Sequence, residues 1–209
     1  MFKLILSQSL SQSFRRGGGA FGACAFYIII VTLFAFTLSP ELLAGHAGAV
    51  MCVAMLLASI IAMPMLFERD YEDGTLEQFL LWPVALEVLV LAKITGQWLA
   101  VTLPILLVSP LVALLAGLES AVALKALAQL FLASFSMIAI SAIASSLTLG
   151  AKRGGLLQAL ITLPLFVPVA IFAASSSGAG ALLFLGAMAL ALWPLACFVC
   201  AAVLKVAVE

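Results

Sequence analysis

Residues 68–83 read ERDYEDGTLEQFLLWP, and the first ten of them, from Glu68 to Glu77, carry five of the nine acidic residues in a chain of 209. Long runs of Leu, Ala, Val, Ile and Phe flank this island on both sides. A charge at the centre of a bilayer costs about 2.5 to 3.5 kcal/mol even on the lenient insertion scale, so five acids together cannot be part of a membrane span. The island is therefore a loop or surface helix between two membrane helices, and it is the first place to look for a contact that passes force or signal to something soluble.

The rest of the chain agrees with that reading. Hydrophobic residues make up 66% and charged residues 9%, whereas charged residues are about a quarter of a soluble domain. The composition is that of an integral membrane protein. There is no basic stripe for nucleic acid. At about 20 apolar residues per helix, the chain has room for roughly six spans and no soluble domain beside them. It contains no G-x-x-x-x-G-K-[ST] phosphate loop, so any nucleotide energy must come from another subunit.

An all-α membrane protein follows, with six transmembrane helices. Residues 1–16 read as an amphipathic interfacial helix, since Phe2, Leu6, Leu10 and Phe14 recur every four positions and polar residues take the other faces. A cleaved signal peptide competes, but the apolar run that follows is of span length and lies beyond Arg15, Arg16 and three glycines. Spans are expected at about 20–38, 47–67, 94–115, 124–149, 156–174 and 181–204, with the segment 68–83 joining the second to the third. Glu87 and Lys93 are read as interfacial. The fourth span carries Ser134, Ser136, Ser141, Ser145 and Ser146 among alanines, and small residues that let helices approach closely make it central to the bundle or to a dimer contact. Lys3, Arg15, Arg16, Arg69, Lys93, Lys152, Arg153 and Lys205 fall on one side and Lys125 on the other, eight against one. The positive-inside rule then places both termini and the island in the cytoplasm, with short outer turns bearing Glu41, His46 and Glu119.

Within the island Gly74 interrupts one helix and leaves Thr75 to begin another. Thr75-Leu76-Glu77-Gln78 has capping-box spacing, so a short helix over 76–82 is expected, ended by Pro83. Leu76, Phe79, Leu80 and Trp82 would face the interface, and Glu77 and Gln78 water. Asp70-Tyr71-Glu72-Asp73-Gly74 also opens like the D-x-x-D-G metal motif of membrane alcohol phosphotransferases. No Asp follows Asp73, so a two-metal site would lack its second half. His46, the one histidine, is a weak haem-ligand candidate. Cys197 and Cys200 share a helix face, but Ala201 stands where haem attachment would need a His.

The run from Glu68 to Pro83 resembles the E…G-[ST]-L-E-x-L-x-x-x-P segment of ABC-2-type exporter permeases. Leu91-Ala92-Lys93, Leu103-Pro104, Ser109-Pro110-Leu111-Val112-Ala113, Lys152-Arg153-Gly154-Gly155 and Leu163-Pro164 are similar to stretches of the haem exporter protein B (CcmB) family. The resemblance implies the permease subunit of an ABC transporter in the bacterial inner membrane, in which ATP hydrolysis by a separate cytoplasmic ATPase drives release of a haem-loaded periplasmic chaperone during cytochrome c maturation. It implies a non-catalytic chain that binds no cofactor itself, with ATP on the ATPase and haem handled by the complex. The implied partners are the ATPase, a haem-handling membrane protein, the chaperone, membrane lipid and a second permease copy. It assigns ATPase coupling to Glu68, Arg69, Asp70, Glu72, Asp73, Gly74, Thr75, Leu76, Glu77, Phe79 and Pro83. The acids would pair with cations of the ATPase, and Leu76 or Phe79 would be an apolar anchor. The alternative is an ABC-2 permease exporting a lipid, polysaccharide or drug.

Overall fold

A computed structural model describes residues 19–62, 66–80, 85–151, 153–175 and 178–208, and among them every regular element is a helix. In chain order these are α1 (Gly19–Thr37), α2 (Pro40–Ala62), α3 (Glu68–Glu72), α4 (Thr75–Leu80), α5 (Leu86–Gln97), a π-helical turn (Trp98–Thr102), α6 (Leu103–Leu115), α7 (Ser120–Leu147), α8 (Gly154–Ala174) and α9 (Gly178–Val208). The interfacial helix expected at 1–16 lies outside the described residues.

Among the described residues, five helices are long and apolar enough to cross a membrane: Pro40–Ile60, Leu86–Leu115, Ser120–Leu147, Gly154–Ala174 and Gly180–Ala207. The protein is a multi-pass membrane protein. α1, Gly19–Thr37, follows the bounds expected for the first span, and its described apolar stretch is Phe21–Thr37.

Several expected boundaries shift, each for a local reason. The second membrane helix starts at Pro40 rather than near 47 and does not reach Leu66 and Phe67, which lie in a turn. Proline suits a first helical position, where its missing N–H is not needed, and the Leu43 N–H already donates to the Ser39 carbonyl. Glu41 and His46 consequently lie in a helix and not in an outer turn. The third begins at Leu86, so Glu87 and Lys93 fall inside it. Halfway along, the Leu103 N–H donates to the Trp98 carbonyl five residues back. Pro104 follows, with no N–H to give and a ring that would clash with the Ala100 carbonyl in a regular α-turn; the wider π turn accommodates it.

α7 is the centre of the bundle, packed against α2, α5, α6, α8 and α9. Of its apolar window 72% is buried, against 28% for α8. Ser134, Ser136, Ser141, Ser145 and Ser146 are all buried on it, as the close approach of neighbouring helices requires. Trp98 stacks on Phe135 with ring centroids 4.8 Å apart and donates from Nε1 to Ser134 Oγ at 3.1 Å. From α9, Trp193 Nε1 donates to the Phe135 carbonyl at 3.0 Å. α1 packs on α2 and α6, where the Tyr27 and Ser109 hydroxyls are 3.0 Å apart. Large apolar side chains such as Phe21, Phe36, Leu107 and Leu114 point outward, as a lipid-facing surface demands.

Candidate functional site

The island is two short helices divided at Gly74, as its sequence leads one to expect. α3 and α4 meet at Gly74, whose φ of +68° is left-handed backbone that glycine adopts without strain. The Gly74 N–H donates to the Tyr71 carbonyl at 3.2 Å and closes the turn. Nothing lies within 4 Å of where a Cβ at Gly74 would sit, so the position requires glycine for its backbone and has open space in front of it. Thr75 opens α4 and is half-buried.

Burial sorts the acids. Glu72, Asp73 and Glu77 are exposed, together with Gln78 and Tyr71. Asp70 is buried and forms an ion pair with Lys93 of α5, itself buried and 5.6 Å from the centroid of the Phe67 ring. A bare charge there would be costly; two opposed ones, each the other's partner, are tolerated. Lys93, expected outside the third span, is buried within α5, and Asp70 turns toward the bundle while Glu72, Asp73 and Glu77 turn outward. Leu76 also faces inward at 2% exposed, in a helix that packs on α5 and α9. Arg69 and Phe79 belong to α3 and α4, and Pro83 lies outside the described residues.

The island rests on the turn between α7 and α8 as well. Gly150, at φ +74°, lies against Tyr71, and a Cβ there would be 3.6 Å from Tyr71 Cε1. A Cβ on Gly154, the first residue of α8, would be 3.6 Å from both carboxylate oxygens of Glu68. Burial, and then the charge of Glu72 one turn on, push the Glu68 carboxyl above its ordinary range. The island is thus fixed on its inner side at three points, and it presents Glu72, Asp73 and Glu77 outward.

Lys93, Tyr71, Gly150 and Gly154 are the members of this site that the sequence does not announce. For Lys93 a signal exists: a cation eight residues into an apolar helix needs an anion, and the nearest dense supply is the island. His46 sits at the other end of the bundle, exposed on α2, with Nδ1 3.0 Å from the Leu42 carbonyl. When Nδ1 carries the proton, Nε2 is left to the solvent.

A helical membrane protein whose charged segment is clamped against one end of its bundle, with an acidic face turned outward, is the class that this fold and site define. The chain belongs to the CcmB protein family, whose model matches residues 1–207. It is 39% identical to Heme exporter protein B of Pseudomonas aeruginosa over 87% of this chain and 80% of that protein. It is 36% identical to Heme exporter protein B of Escherichia coli strain K12, with all of both chains covered, and 34% identical to that of Haemophilus influenzae, over 100% of this chain and 99% of the other.

Proposed function

We propose that this chain is the permease subunit of an ABC transporter complex of the bacterial inner membrane, and that ATP hydrolysis by a separate cytoplasmic subunit acts through it to release a haem-loaded periplasmic chaperone in cytochrome c maturation. The chain itself is a transport subunit and not a catalyst. Its relatives' name, Heme exporter protein B, favours haem over the lipid, polysaccharide or drug that a general ABC-2 permease would export.

The observation that carries the mechanical part is the two-sidedness of the island. Its inner side is held by the Asp70–Lys93 pair, Leu76 and the Gly150 turn, so a push on it is delivered to the bundle instead of being lost in a loose loop. Its outer side offers Glu72, Asp73 and Glu77, to which basic residues of an ATPase cleft are complementary. The distribution of Lys and Arg supports a cytoplasmic position for the island, with both termini on the same side and α1 as a sixth crossing. ATP belongs to the ATPase and haem to the wider complex, in which a haem-handling membrane protein, the chaperone and a second permease copy take part.

Gly74 provides the test. Gly74→Asn suits left-handed backbone and keeps the turn. Gly74→Arg adds strain of about 1–2 kcal/mol and a long side chain on the docking face. The ATPase is expected to co-purify with Gly74→Asn at wild-type yield and to be lost from Gly74→Arg, along with haem-stained c-type cytochromes. Undiminished assembly and maturation with Gly74→Arg would count against the proposal.

A further inference from the structure

We infer that Asp70 and Lys93 are positioning residues for energy transfer: their buried ion pair is the joint through which movement of the island reaches the helix that runs from Leu86 to Leu115. The inference rests on the reading of the island as an ATPase dock, and it adds the route inward.

Three observations carry it. Both residues are 7% exposed, and they join the island to a membrane helix 23 residues further along the chain. Such a pair is a poor choice for stability alone, because apolar residues of similar volume stabilise a buried position as well or better. What the charges add is a contact that resists separation as well as compression, so that α5 follows the island in both directions. An apolar contact also resists separation, but parting this pair leaves two buried charges without partners, a steeper cost.

The second observation is what lies beyond Lys93. Five residues further on, the α-helical ladder gives way to the π turn Trp98–Thr102, and π turns are local departures from the ladder that recur at functional sites. Trp98, the first residue of that turn, bonds Ser134 and stacks on Phe135 of α7; Trp193 of α9 bonds the Phe135 carbonyl. The route from Asp70 to the central helix is therefore the ion pair to Lys93, the helix that carries both Lys93 and Trp98, and the contacts of Trp98 with α7.

The third is that Asp70 alone among the island's acids has this placement. Glu72, Asp73 and Glu77 are exposed, and Glu68 lies beside Gly154. The residues that meet a partner and the residue that meets the bundle are separate, so each function can be removed by itself.

The test uses the full permease with its ATPase, comparing Asp70→Asn, Lys93→Met and the exchanged pair Asp70→Lys with Lys93→Asp. Expected is co-purification of the ATPase and hydrolysis within about twofold of wild type for each single variant, with an about tenfold loss of haem-stained c-type cytochromes, a size usual for coupling between sites. The exchanged pair is expected to recover most of the loss. Lys93→Arg keeps the charge and guards against a neutral variant that misfolds: it should mature cytochromes within about twofold of wild type. Single variants with normal maturation, or an assembled Lys93→Arg complex as defective as Lys93→Met, would overturn the inference. Failure of the docking reading itself looks different: Gly74→Arg would retain the ATPase.

Discussion

Glu68 and Glu72 stand one turn apart on α3, an arrangement that isolated helices penalise, and Glu68 is partly withdrawn from water beside Gly154. Both effects raise its affinity for a proton in the folded protein. A carboxyl whose folded pKa exceeds its unfolded one holds its proton longer when folded, so stability falls as pH climbs from the unfolded to the folded value, and the loss persists above it. Glu68→Gln should raise the unfolding midpoint of the purified protein at neutral pH and leave it unchanged at a pH well below the ordinary glutamate range. Equal effects at both would show that the charge is not the cause. Glu68, Glu72, Asp73 and Glu77 were legible in the sequence as a cluster, because five acids between apolar runs have nowhere dry to go. Which acid turns inward was not legible. Spacing along α3 and α4 gives faces, but the partner that selects Asp70 arrives from another helix, and local pattern carries no record of that contact.

At the scale of the element, α7 is the clearest case of a helix read from its composition. Serines among alanines made it the close-packed member, and the structure buries that stripe between five neighbours. Ser136→Leu places three extra carbons where no space is left and should cost about 1–3 kcal/mol, whereas Leu124→Ala, at a position 72% exposed, should change little. Thermal unfolding in one detergent compares the two; equal midpoints would contradict the packing assigned to α7. The start of α2 and the π turn were not read in advance. Pro40 and Pro104 look alike in a sequence as interruptions, yet Pro40 opens a helix and Pro104 is absorbed by a widened turn. The difference depends on whether the carbonyl behind each proline has room, which is a property of the folded backbone.

At the scale of the whole molecule, the chain divides its polar groups by task. The island faces outward with three acids and inward with one, and the described part of the bundle that receives it is largely apolar, tied between helices by a few polar bonds such as those of Trp98, Trp193, Gln129 and the Tyr27–Ser109 pair. Hydropathy made most of the membrane helices visible, but it also merged their ends with the connections, so that Glu87 and Lys93, both within α5, were read outside the third span. That the outer acids of the island seat a separate ATPase is measured most directly by co-purification of that ATPase with a permease carrying Glu72→Lys, Asp73→Lys and Glu77→Lys together, beside a control carrying Glu119→Lys before α7. Loss of the ATPase from the triple variant and full retention by the control is the predicted result. Equal retention by both would contradict the account.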